Sequence, residues 1–192
     1  MSRYRRLFAP GGTWFFTVNL EDRASTALTE EIDLLRAVWR DVMRDHPFRT
    51  DAAVILPDHL HAIWTLPPGD SDFPTRWKKI KAGFSRHCRA VGQPGPSKQR
   101  KGEKGIWQRR FWEHMIRDDA DLAAHVAYCH WNPVRHGLVA RPEDWPHSSV
   151  HRRVGATHLR ASGMAAAGKC AWVSPTLRGV AHPRGGSPRD LE

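Results

Sequence analysis

Two histidines two residues apart, His59 and His61 in ILPDHLHAIWTL, stand inside an otherwise apolar run where a hidden strand would carry valine or isoleucine. Successive side chains of a strand point to opposite faces, so both imidazoles emerge on one side. Imidazole serves as a metal ligand and as a hydrogen-bonding group, and the spacing alone leaves both readings open. One of the two tyrosines in the chain, Tyr128, lies in HVAYCHWNP with Asn132 four residues on. On a helix these two share a face, apart from the stripe Leu122, Val126 and Cys129 that is expected to be buried. A tyrosine in that place is either a packing residue with a satisfied hydroxyl or a nucleophile.

The elements that must hold these groups follow from periodicity. GTWFFTVNL alternates, with Trp14, Phe16 and Val18 on one face and Phe15, Thr17 and Asn19 on the other, which is a strand with one polar face. TEEIDLLRAVWRDVMRDHP is an amphipathic helix that opens at a capping-box pattern on Thr29 and stops at Pro47. TDAAVILP and HLHAIWTL form a hairpin around Pro57 and Asp58, and Phe73–Val91 is a second helix with Trp77, Ile80, Phe84 and Cys88 at helical spacing. GQPGPSKQRKGEKG is a flexible loop, Ile106–Arg117 a strand, and Asp118–Asn132 a helix capped by aspartate and ended by Pro133. Strand, helix, strand, strand, helix, strand is the ferredoxin-like α+β order: an antiparallel sheet with helices on one face and the site on the other. Residues 1–153 form the single domain, and 154–192, rich in Gly, Ala, Pro and Arg, a loosely ordered basic tail.

Composition narrows the partner. The formal net charge is +10 and the sequence pI near 10.2, which favours a polyanion, nucleic acid before membrane. Arg76 to Arg110 holds twelve lysines and arginines against Glu103 alone, so the whole excess lies in one segment that reads as a phosphate-binding surface. No signal peptide or membrane span is visible, and three cysteines with no C-x-x-C pair fit neither a disulfide framework nor a cysteine zinc site. A cytoplasmic protein with reduced cysteines is expected. Of the nine tryptophans, Trp14, Trp39, Trp64 and Trp77 fall on faces expected to be buried, leaving Trp107, Trp112 and Trp131 to stack on unpaired bases.

YRRLFAPGGTWFFTVNL, PDHLHAIW, WQRRFWEHMIRD and YCHWNPVRHGLV, in this order over roughly Tyr4 to Arg153, resemble the signature blocks of the REP-associated tyrosine transposases, relatives of insertion-sequence transposases in the HUH endonuclease group. The resemblance implies a metal-dependent enzyme that nicks and joins single-stranded DNA. Tyr128 matches the nucleophile, His59 and His61 the metal-binding pair, and Asn132 the ligand carried on the nucleophile's helix, where related enzymes often have glutamine. Asparagine offers the same carbonyl acceptor on a shorter arm. Two imidazoles and an amide oxygen suit manganese or zinc by ligand type, while the family implies Mg2+ or Mn2+.

The implied partner is single-stranded DNA carrying palindromic hairpins, the REP elements. Arg3, Arg5, Arg6, Gly12 and Thr13 match the segment that reads bases beside the hairpin, and Arg76, Lys78, Lys79, Lys81, Arg109 and Arg110 are the expected phosphate contacts. His125 and His130 are expected to be exposed helix residues, with Glu113 and His114 bordering the site. Related insertion-sequence enzymes are dimers that exchange catalytic helices; a monomer is favoured here. The rival from another class is a non-catalytic nucleic-acid-binding regulator of the same fold, which would have no need of the histidine pair with Tyr128.

Overall fold

The computed structural model describes residues 9–90 and 92–152. The chain divides at Arg153 into Met1–Arg153 and Val154–Glu192, and the fold below is that of the first unit. Arg3, Arg5 and Arg6, and the tail expected over 154–192, lie outside the described residues.

Four strands, β1 (Thr13–Asn19), β2 (Arg49–Ile55), β3 (His59–Thr65) and β4 (Trp112–Met115), form one antiparallel sheet in the order β2-β3-β1-β4. The helices are α1 (Ala27–Glu30), α2 (Ile32–Asp45), α3 (Phe73–His87), α4 (Pro96–Gln99) and α5 (Asp119–Arg135). This is the α+β, ferredoxin-like arrangement that the element order predicts. Alternation sorts the side chains as read: Trp14, Phe16 and Val18 of β1 join Leu60, Ala62 and Trp64 of β3 in the core that α2 and α3 cover. Trp64 stacks on Trp77 of α3 at 4.2 Å and meets Trp39 of α2 edge-on at 5.3 Å. Each such ring contributes about 1.5–3 kcal/mol by leaving water, enough to fix which face of β3 is internal and so which face carries the histidines.

That second face is not left open. α5 lies across it, and a smaller core of Phe15, Ala52, Val54, Leu56, Ile63 and Cys129 forms between them, with Leu122, Val126 and Tyr128 packed against it. Of the expected stripe Cys129 is buried and Leu122 and Val126 are half-buried against this core, but the other buried positions of α5 are Asp121, His125, Asn132 and Pro133. A mostly polar buried stripe is invisible to a hydrophobic-periodicity argument.

Four element boundaries move, the simplest being that of the helix expected over Phe73–Val91, which ends at His87 with Cys88 extended. The first predicted helix does not start at Thr29: α1 contains Thr29, the chain breaks at Glu31, and α2 resumes at Ile32. The Glu31 carboxylate accepts from Arg89 at 2.8 Å, while Thr26 makes the local hydroxyl bond to Glu30. Pro133 lies inside α5 and does not end it. Its missing N–H deprives only the Cys129 carbonyl, and the true stop is Gly137, whose φ of +67° suits glycine and lets the amides of His136, Gly137 and Leu138 cap the last carbonyls. Within Ile106–Arg117 only Trp112–Met115 is a strand, preceded by an isolated bridge from Leu20 to Trp107. The loop over 92–105 contains α4, tied down where Lys98 pairs with Glu21 at 2.7 Å and donates to the Trp107 carbonyl at 3.1 Å.

Candidate active site

The antiparallel register sets Thr17 of β1 opposite His61 and Asn19 opposite His59. Both imidazoles are buried, and each is held through Nδ1: His61 with the Thr17 hydroxyl at 2.9 Å, His59 with Asp58 Oδ1 at 2.7 Å. Their rings stand 5.1 Å apart, and Phe15 stacks on His61 at 5.4 Å. Burial pushes the His61 pKa well below its usual value, and His59 and His136 reinforce it; burial also lowers that of His59, against the pull of Asp58. Both rings are therefore neutral near pH 7, the form in which imidazole ligates metals.

α5 brings the second half of the site. Asp118 caps the helix by accepting from the Asp121 amide at 2.8 Å, and acids in its first turn suit the positive end of the helix dipole. The Tyr128 ring lies 5.1 Å from His61 and 5.7 Å from Phe15, with the Arg135 guanidinium 5.2 Å from its centroid. One turn on, Asn132 is 1% exposed. Its Oδ1 and the Nε2 of His61 are buried atoms with no hydrogen-bond partner among the described residues. Leaving such atoms unsatisfied costs about 1–3 kcal/mol each, and a divalent cation would accept both lone pairs. The donor set thus fits a metal.

Four groups escaped the sequence reading. His136, four residues after Asn132 at the spacing that separates Tyr128 from Asn132, has its ring 5.1 Å from that of His59. A cleft of about 210 Å³ lies beside it, lined by Arg23, Ser25, Pro57 and Asp58 among others. Asp58 and Thr17, read as turn and face residues, turn out to hold the two histidines. His125 is not an exposed helix residue: it is buried, its Nδ1 donating to the Asp121 carbonyl at 2.8 Å, and its ring stacks on His114 at 4.7 Å. His130 is half-buried and meets the Ser149 hydroxyl at 3.1 Å. A larger cleft of about 1290 Å³ runs along α2 and the outer edge of β2 and includes none of the candidate catalytic or metal residues.

No protein-family model matches the chain. Whole sequences do. A REP-associated tyrosine transposase of Escherichia coli K12 is 49% identical over 154 residues, 80% of this chain and 86% of that protein. A Haemophilus influenzae Rd protein carrying the same family name is 46% identical over 157 residues, 81% of this chain and 89% of that protein. The chain belongs to the REP-associated tyrosine transposase family. A solved REP-associated tyrosine transposase bound to a REP hairpin has the same fold, with a TM-score of 0.69 at 48% identity over 81% of this chain and 87% of that one. Family membership supports an enzymatic DNA-processing role.

The basic surface of this transposase-family chain is narrower than the charge count implies. Arg76 is not a phosphate contact: it is 3% exposed, and its guanidinium donates to the carbonyls of His46, Asp72 and Pro47 and to the Asp70 carboxylate. A charge count cannot see a partner, and those acceptors take four of the five N–H groups of the fork. Lys81 also turns inward, donating to the Gln108 carbonyl at 2.8 Å, and burial lowers its pKa to about 8. Lys78, Lys79 and Arg110 are exposed, and Arg109 is exposed but paired with Glu103 and the Ser97 carbonyl. Gly12 packs tightly, since a Cβ there would meet the Ala9 carbonyl oxygen at 2.9 Å, and the Thr13 hydroxyl bonds that of Thr65 at 2.8 Å. Trp107 is a core residue under Phe84, whereas Trp112 and Trp131 are exposed. Among the described residues, no helix is long and apolar enough to cross a membrane.

Proposed function

We propose that the chain binds REP-type hairpins in single-stranded DNA and cleaves and rejoins the strand through Tyr128. The observation that carries this reading is the meeting of Tyr128 with His61 beside two buried, unsatisfied ligand atoms, His61 Nε2 and Asn132 Oδ1. His59, His61 and Asn132 would hold the cation, Mn2+ or Mg2+, which when bound supplies Lewis-acid polarisation of the scissile phosphate. The Tyr128 oxygen attacks phosphorus, the bond to the 3′ oxygen breaks, and the phenolic proton is lost as the leaving oxygen gains one. The products are a 5′-phosphotyrosine and a free 3′-hydroxyl. Because the ester keeps the phosphate activated, a second 3′-hydroxyl can reverse the step and join the strands without ATP.

Arg135 against the Tyr128 ring supplies positive charge where the phenolate develops. Phe15 and the neighbouring core fix the ring's orientation, and exposed Trp112 and Trp131 offer faces for unpaired bases. The strand histidines and the helix tyrosine come from one chain, which supports a monomer as the working unit. The test is a labelled hairpin oligonucleotide incubated with Mn2+, Mg2+ or chelator and resolved on a denaturing gel. A covalent adduct should form with wild type in metal and disappear in Tyr128→Phe, which should still bind the hairpin, and in His61→Ala. Adduct formation by Tyr128→Phe, or binding with no adduct in either metal, would refute the catalytic reading, the latter in favour of a binding regulator.

A further inference from the structure

Asp58 follows Pro57 in a hairpin turn, where any turn-forming polar residue would serve. Its side chain does more than close the turn. Oδ1 lies 2.7 Å from Nδ1 of His59, and Oδ2 lies 2.8 Å from Nε of Arg23. The other arm of Arg23 donates to Asn19 Oδ1, and Asn19 is the residue paired with His59 across β1 and β3. The Asp58 carbonyl in turn accepts from the Leu20 amide at 2.8 Å. The carboxylate is thus held on two sides, by His59 of β3 and by Arg23 after β1, while the Asp58 backbone is tied to Leu20.

A carboxylate held by a guanidinium is an acceptor, so the ring nitrogen facing it must carry the proton. His59 is 4% exposed, which keeps water from substituting for that partner. With the proton on Nδ1, Nε2 keeps its lone pair, and Nε2 is the atom left to face a cation. We propose that Asp58, braced by Arg23, is the positioning residue of the metal site: it fixes the tautomer and the angle of His59 so that Nε2 is a ready ligand. This rests on the reading that His59 and His61 hold a divalent cation.

The test uses the full chain without DNA. Two-bond 1H–15N NMR of the metal-free protein reads the His59 tautomer, and manganese electron paramagnetic resonance reads Mn2+ affinity. Wild type should show Nδ1–H at His59. Asp58→Ala should move His59 toward Nε2–H and weaken Mn2+ binding by roughly 10- to 100-fold, whereas Asp58→Asn, which keeps an acceptor oxygen, should recover most of both. A merely structural role would leave the tautomer unchanged. Nε2–H at His59 in wild type would overturn the proposal even if Asp58→Ala does not fold, as would wild-type Mn2+ affinity in that variant. Mn2+ affinity indifferent to both His59→Ala and His61→Ala would instead overturn the metal-site reading, and the NMR measurement distinguishes the two failures.

Discussion

Replacing Asp121 should damage this fold more than its place in the first turn of a helix suggests. Its side chain is 6% exposed, and Oδ2 accepts from His114 Nε2 at 2.9 Å and from the amide and Nε of Arg117 at 3.1 and 3.0 Å. Oδ1 lies 3.1 Å from His125 Nδ1. Burial would raise the carboxyl's pKa, but the bonds from Arg117 and His114 more than offset it and hold it far below the usual range. Arg117 is largely exposed and returns to water on truncation, so its ion pair accounts for under about 1 kcal/mol. The His114 and backbone bonds to a buried charge are worth about 1.5–3 kcal/mol each. Asp121→Ala should therefore cost about 3–5 kcal/mol, in the range found for breaking one side of a buried charged network. Asp121→Asn, which keeps one acceptor but turns an amide toward a donor, should cost about 2 kcal/mol. Urea unfolding followed by circular dichroism measures both, and with a slope near 2 kcal/mol/M the alanine midpoint falls by about 2 M. An Asp121→Ala protein within about 1 kcal/mol of wild type would refute the reasoning.

The Lys78→Ala/Lys79→Ala double variant should lower the slope of log affinity for a REP hairpin against log salt by about 1.5, while its urea midpoint stays at wild type. Arg76→Ala should behave in the opposite way, losing about 2–4 kcal/mol in urea unfolding with its hairpin affinity and salt slope unchanged when measured on folded protein. Metal-free stability should fall as pH drops from 7 to 5. Burial holds the pKa values of His59 and His61 below their usual range in the folded chain, whereas unfolded they take up protons near pH 6.5, so the unfolded state binds more protons as pH falls and gains by up to about 1.4 kcal/mol per pH unit per histidine. Thermal melts across that range, compared with His61→Ala, read the difference.

The strands of the site were legible because alternation is a two-residue pattern that survives without context. Trp14, Phe16, Leu60 and Trp64 declare one face, and the opposite face follows, histidines included. The cap at Asp118 was legible for the same local reason. What escaped depends on contacts between distant residues. Arg76 and Lys98 look like surface charge until His46, Pro47 and Glu21 are brought beside them. Pro133 reads as a stop because proline usually ends a helix, yet the next turn is capped by Gly137. The polar buried stripe of α5 has no apolar signature, so His125 reads as exposed and nothing in the pattern marks Asp121 as buried. Asp58 shows the limit most sharply: its neighbour His59 was singled out, but only the register of β1 against β3 brings Arg23 and Asn19 to its far side.

The histidines recur every second residue along a strand and Tyr128 and Asn132 every fourth along a helix, so the site exists where two rhythms coincide. Removing one residue from α5 ahead of Tyr128 would swing both of its groups away together by about 100°. The stretch from Pro67 to Phe111, which carries Lys78, Lys79, Arg109 and Arg110, supplies none of these four side chains. Its exposed Lys78, Lys79 and Arg110 can be recharged without touching those four groups, so the proposed chemistry and the proposed grip on DNA can vary independently.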